Sequence, residues 1–236
     1  MTMHMIRSTA LLAAAVAQAL FALRPDLVGI EGSIGETARS NSTLLIPSGF
    51  AFSIWGLLYF GGVYVALWHA MRPERAHVAR VGLWALLAFS GNAAWALHQP
   101  TYGPGFVSFM LLEFILVCSL LAGYIGQRSD PAPSRGDAAA YDFLLALAGW
   151  ITVASPAGLS VALVQVGLWP LFGNPVVAAL VILAVWAPIA AAIALRLGAF
   201  SYLLPILWGL FWVGIANQEE AVVLAGLGTA GAIVVG

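Results

Sequence analysis

Long, uninterrupted apolar segments are the feature of this sequence that most restricts its fold. Loops rich in Pro, Gly or charged residues divide them into eight, at residues 5–23, 48–70, 81–97, 106–125, 138–166, 176–195, 202–216 and 221–236. A helix crosses ~30 Å of hydrocarbon with about 20 such residues, and these segments lack the alternating pattern of membrane β-barrel strands. The sequence therefore predicts an all-α fold, a polytopic transmembrane helical bundle of about eight spans.

The charge content agrees with a membrane protein and excludes several functions. Only 8% of residues are charged, against about 25% in soluble domains, and the mean hydropathy is +0.97. All nine basic residues are Arg, so a chromophore bound as a lysine Schiff base is excluded. The net charge of −1 gives no reason to expect a nucleic-acid partner.

The arginines also predict an orientation. Seven of the nine fall in segments on the same side of the membrane as the N-terminus, and only Arg24 and Arg39 fall on the other side. The positive-inside rule then places both termini in the cytoplasm, in a protein of the bacterial inner membrane. The first apolar segment resembles a signal peptide through Ala15-Val16-Ala17, but it stays apolar to Leu23, which favours a retained span.

An aligned set of rings marks the second apolar segment. Phe52, Trp55 and Tyr59 are spaced i, i+3 and i+7 and share one helical face, and Gly56 and Gly61 leave room for a neighbouring backbone. Such a face suits a pocket for a flat ligand. It equally suits helix–helix packing, so both interpretations stay open.

Glu113 is the acid placed deepest in an apolar segment. A carboxylate at that depth is costly, so the side chain is protonated, paired or turned to a wet cavity. One interpretation is a proton-coupled step. The other is a neutral carboxyl group that is hydrogen-bonded to a neighbouring helix, for example to Ser90 or Asn92.

The sequence predicts no metal site and no catalytic residue. His69 and His98 end helices on opposite sides of the membrane, so they cannot share a metal ion. Cys118 is the single cysteine, which excludes an intrachain disulfide. No phosphate-binding loop, zinc-ligand spacing or nucleophile elbow is present, so enzymatic activity is not the favoured interpretation.

Three short motifs carry a family resemblance. Phe52-x-x-Trp55-x-x-Leu58-Tyr59, after a Pro/Gly entry, resembles the second helix of the tryptophan-rich sensory proteins, the TspO/translocator protein (peripheral benzodiazepine receptor) family. Asn92-x-x-Trp95 is similar to the third-helix motif, and Trp150 to the tryptophan of the fifth helix. The family's Leu-Pro-Tyr before that tryptophan is absent here. The resemblance covers roughly residues 5–165, so it implies a TspO-like five-helix bundle at 1–166, and additional C-terminal helices at 167–236 in an extended, divergent branch.

The resemblance implies a cavity, capped by the first loop, for a tetrapyrrole such as porphyrin or haem, or for a sterol-like ligand. The implied ligand-binding residues are Phe52, Trp55, Tyr59, Asn92, Trp95 and Trp150. The expected function is a sensor, carrier or modulator, with membrane lipid and a small hydrophobic ligand as partners and a homodimer left open. The alternatives are a small proton-coupled transporter, using Glu113 and the helices broken by Pro156 and Pro188, and a ligand-free scaffold subunit.

Overall fold

The structure is a computed structural model that describes residues 3–29, 43–72, 76–129, 132–168 and 172–218. These residues form an all-α bundle, and 3-10 turns at Pro25–Val28 and Gly49–Ser53 follow the first helix and precede the second. The α-helices in the described residues are α1 Met3–Leu23, α2 Ile54–Ala70, α3 Ala76–Tyr102, α4 Phe106–Ser129, α5 Arg135–Gln165, α6 Pro175–Leu197 and α7 Phe200–Ala216.

The prediction of eight spans is wrong. In the described part of the chain, five helical segments are long and apolar enough to cross a membrane: Met3–Leu23, Gly49–Ala70, Phe106–Ser129, Arg135–Gln165 and Pro175–Leu197. Helix α3 has 27 residues, but polar side chains such as Asn92 and Gln99 lower its hydropathy. Helix α7 has 17 residues, fewer than the ~20 that a full crossing needs. The predicted eighth span, 221–236, lies outside the described residues.

The third helix is longer at both ends than the sequence pattern indicates. It runs through Pro100, where a turn is predicted from the Pro and Gly content. It ends at Gly103, whose φ of 79° is left-handed and whose N–H donates to the Gln99 carbonyl at 3.0 Å. Glycine adopts this conformation without steric cost. The helix therefore ends at Gly103 and not at Pro100, three residues earlier.

Helix α5 is the central element of the bundle. In its most apolar stretch 72% of the residues are buried, against 22% in that of α6. Helix α6 therefore lies at the periphery. Helix α5 packs against α2, α4 and α7. Tyr202 and Ile206 of α7 belong to the same buried core as α1 to α5. The division at residue 166 stays a prediction, but the described core is continuous across it.

A buried carboxylate joins the end of α2 to the start of α5. Asp137 is 1% exposed and pairs with Arg72, with 2.6 Å between Nε and Oδ1. The same Oδ1 accepts a hydrogen bond from Trp68 Nε1 at 2.8 Å. Oδ2 accepts from the backbone N–H of Ser134 at 3.0 Å, as part of a capping box that begins α5. One carboxylate therefore serves both as a helix cap and as the link between two helices.

Candidate ligand-binding pocket

Four of the predicted site residues meet between α2, α3 and α5. Trp55 stacks on Trp95 with 5.7 Å between ring centroids and meets Trp150 edge-on at 6.1 Å. Phe52 also meets Trp150 edge-on, at 6.1 Å. Offset-stacked and edge-on pairs at these separations are favourable ring geometries. The aromatic face of the second helix therefore points into the bundle.

These four side chains line a small cavity of about 70 Å³. Ile46 and Pro47, at the end of the first loop, close one side together with Pro104 and Gly105 from the turn between α3 and α4. Pockets for drug-sized ligands have volumes of about 300–1,000 Å³. In this conformation the cavity is too small to accommodate a porphyrin or haem macrocycle.

The polar groups of the pocket fall into two sets. Trp95 Nε1 donates to Ser108 Oγ at 2.9 Å, and Ser108 donates in turn to Gln99 Oε1 at 2.5 Å. By contrast, the Nε1 atoms of Trp55 and Trp150 are buried and have no hydrogen-bond partner among the described residues. A buried donor without an acceptor is costly, so two side chains of the cavity wall each carry an N–H group whose hydrogen-bonding capacity is unused among the described residues.

Tyr59 and Asn92, also predicted as site residues, do not line this cavity. Tyr59 stacks on Trp55 at 5.3 Å, so it packs against a side chain that forms the wall of the pocket. Asn92 Nδ2 donates to Gln18 Oε1 on α1 at 2.8 Å, and both side chains are buried. Ligand contact by either residue stays a prediction. The sequence gives one signal for the hydrogen bond between Asn92 and Gln18: Gln18 lies in an apolar segment, where its polar side chain needs a partner.

Glu113 lies outside the cavity, between α4 and α5. Its carboxyl group interacts with the hydroxyl of Ser155, and its Oε1 is buried with no hydrogen-bond partner in the described part of the chain. The polar neighbour of Glu113 in the structure is thus Ser155 of α5, where the sequence suggests Ser90 or Asn92. Leu112, the preceding residue, lines the cavity, so Glu113 lies close behind its wall.

The histidines lie toward the ends of helices, where His98 contacts the ring of Tyr102, with 5.2 Å between centroids. His69 Nδ1 is 3.1 Å from Ser8 Oγ, and its ring stacks on that of His4 at 5.2 Å. No three His, Cys, Asp or Glu side chains converge in a way that would hold a metal ion, within the described ranges. Of the residues that the structure describes, no histidine lines the cavity.

The fold and the pocket together define a class: an integral membrane protein built as a helical bundle, with a tryptophan-lined pocket among its early helices. The chain belongs to the TSPO-like protein family, whose sequence model matches residues 4–236. The resemblance seen in the short motifs is thereby confirmed, and the match continues beyond residue 166. No curated protein and no solved structure matches the chain.

Proposed function

We propose that the protein binds a flat, largely apolar ligand between Trp55, Trp95 and Trp150 and acts as a sensor, carrier or modulator for it. The observation that carries this proposal is the convergence of three indoles on one cavity, two of them with buried N–H groups that lack an acceptor among the described residues. A flat ring would stack on the indoles, and a carbonyl or carboxylate at its edge would accept from the N–H groups.

Tetrapyrroles are the ligand class that the family resemblance implies, and the cavity volume sets a condition on their binding. A macrocycle does not fit in about 70 Å³, so the stacked pair Trp55 and Trp95 must separate for it to enter. The ligand ring would then replace the ring–ring contact that it breaks. Ile46 and Pro47, together with Pro104 and Gly105, come from connecting segments, and these segments would move first.

Titration of the purified protein with protoporphyrin, followed by absorbance and tryptophan fluorescence, tests this function. We expect saturable binding that Trp55→Ala weakens by at least about tenfold, since it removes both a ring and a donor. Trp150→Phe keeps a ring but loses the N–H, so a loss of roughly three- to tenfold is expected. Trp84→Phe, on the same helix as Trp95 but about 16 Å away along it, is the matched control. Binding that is absent, or equal in all four proteins, contradicts the proposal.

A small proton-coupled transporter is the second candidate, favoured by the unpartnered Oε1 of Glu113 behind the cavity wall. Intramembrane acids often relay protons. In proteoliposomes with an imposed pH gradient, we expect protoporphyrin uptake that depends on the gradient and is abolished by Glu113→Gln. Asp26→Asn, at an exposed acid outside the bundle, should leave uptake unchanged. Uptake that is the same for Glu113→Gln and the unaltered protein excludes this candidate.

A further inference from the structure

A second, much larger space lies on the outside of the bundle, where α2 and α7 separate over α5. This groove has a volume of about 610 Å³ and shares no lining residue with the aromatic cavity. Ala139 and Ala146 of α5 lie in it, and Leu57 and Leu204 line it from α2 and α7. Those two leucines are 56% and 53% exposed. An apolar groove on the surface of a membrane bundle opens toward acyl chains, so it is shaped for an elongated apolar group.

The groove has a charged end at Asp142. This side chain is exposed, and its Oδ1 accepts a hydrogen bond from Ser201 at 2.7 Å. Asp142 pairs with no cationic side chain in the part of the chain that the structure describes. Ser201 is the second residue of α7, so Asp142 lies at the level where one helix begins.

A more polar space adjoins the groove on the other side of Asp142. Its volume is about 560 Å³, and it is lined by residues from the end of α4, the start of α5 and the end of α6, among them Gln127, Arg128 and Asp142. Arg128 is exposed and sits over the ring of Tyr124, 5.5 Å from its centroid. Asp142 borders both spaces, so one acid separates an apolar groove from a space that holds a cation.

The depth of these residues suits a lipid headgroup. With 31 residues, α5 is ~46 Å long at ~1.5 Å per residue, which exceeds the ~30 Å hydrocarbon core. The buried ion pair of Arg72 and Asp137 lies at its first turns, and we assign the headgroup layer to that end. Arg128 is next to the last residue of α4, at the same end of the bundle. Arg128 and Asp142 both line the polar space, and a cation and an acid around one space match the phosphate and ammonium of a zwitterionic headgroup.

We propose that this surface binds a phospholipid whose headgroup carries a primary ammonium, such as phosphatidylethanolamine. The phosphate contacts Arg128, the ammonium donates to Asp142, and an acyl chain lies in the groove over Ala139 and Ala146. Only one oxygen of Asp142 is used by Ser201, which leaves the other for the ammonium. A quaternary choline headgroup has no N–H to donate, and a glycerol headgroup has no cation, so both should bind less tightly.

Native mass spectrometry of the full chain with phosphatidylethanolamine, phosphatidylcholine or phosphatidylglycerol tests the proposal. We expect phosphatidylethanolamine to bind roughly tenfold more tightly than phosphatidylcholine, as a charge-assisted hydrogen bond predicts. Asp142→Asn should remove this preference, and Arg128→Gln should weaken the binding of all three lipids. Asp26→Asn and Arg80→Gln, also at exposed positions, are the matched controls.

A bulky side chain placed in the groove distinguishes lipid bound in the groove from lipid that surrounds the whole protein. Ala146→Phe should weaken the binding of phosphatidylethanolamine by roughly tenfold. Ala184→Phe, at an exposed position on α6, should leave that binding unchanged. Equal binding of phosphatidylethanolamine and phosphatidylcholine to the unaltered protein overturns the proposal without any variant. A disulfide-linked dimer of Ala146→Cys in lipid bilayers also overturns it, because a second copy would then cover the groove.

Discussion

Replacing Asp137 by alanine is expected to lower the free energy of unfolding by about 3–5 kcal/mol. The carboxylate is 1% exposed and accepts from Arg72, Trp68 and Ser134. Its removal leaves a partly buried guanidinium without its anion, leaves the Trp68 N–H without its acceptor, and removes the capping box of α5. Since Arg72 is 24% exposed, it can turn toward water, which places the expected loss toward the lower end of that range.

The chain offers a matched control for this ion pair. Arg24 and Asp26 pair at 2.8 Å but are 59% and 61% exposed, and water replaces such contacts at little cost. Thermal unfolding in detergent should therefore show no measurable change for Asp26→Ala and a large decrease for Asp137→Ala. In a double-mutant cycle, Arg72→Ala should cost much less when Asp137 is already alanine. Additive effects of the two substitutions would show that the pair is not coupled.

Gly149→Ala is expected to destabilise the bundle by about 1–3 kcal/mol through overpacking. A Cβ atom at this position would overlap the carbonyl oxygen of Tyr202 and lie 3.0 Å from its carbonyl carbon. These are backbone atoms of α7, and they cannot rotate away as a side chain can. Helix α7 would have to move off α5, and Gly149 is next to Trp150, so the shape of the pocket would change with it.

Gly56 of α2 provides the comparison for Gly149. A Cβ there would meet no atom within 4 Å, so Gly56→Ala should be neutral or raise stability by up to about 1 kcal/mol, since alanine favours the helix. Unfolding midpoints of both variants, measured in the same detergent, test the difference. Equal midpoints would contradict the close α5–α7 contact. The larger Gly149→Leu should show a greater loss if that contact exists.

The two proposed binding sites differ in how much space they hold. The aromatic cavity is small, about 70 Å³, whereas the external groove is open and several times larger. A ligand of the first site therefore has to separate Trp55 from Trp95, at the cost of their contact. A lipid in the second site replaces only other lipid. Ligand binding to the cavity should accordingly depend on ring substitutions, and lipid binding on Asp142.

The sequence by itself determined the membrane bundle and the shared helical face of three aromatic rings. Length and apolar character decide whether a segment can cross a bilayer, and the spacing of Phe52, Trp55 and Tyr59 decides that they share a side. Both properties are local, so they can be read without knowing which helices are neighbours. The span count was too high because α3 carries polar residues that its core position accommodates, and because α7 is short.

The tertiary structure decided which side chains meet. The resemblance places Asn92 at the ligand, and in the structure its Nδ2 donates to Gln18, 74 residues away. Glu113 interacts with Ser155, 42 residues away. The same packing stacks Trp55 on Trp95 and so reduces the cavity to about 70 Å³. It also places Arg128 and Asp142 around neighbouring spaces. Contacts between distant segments depend on the relative rotation and separation of helices, and no local pattern specifies these.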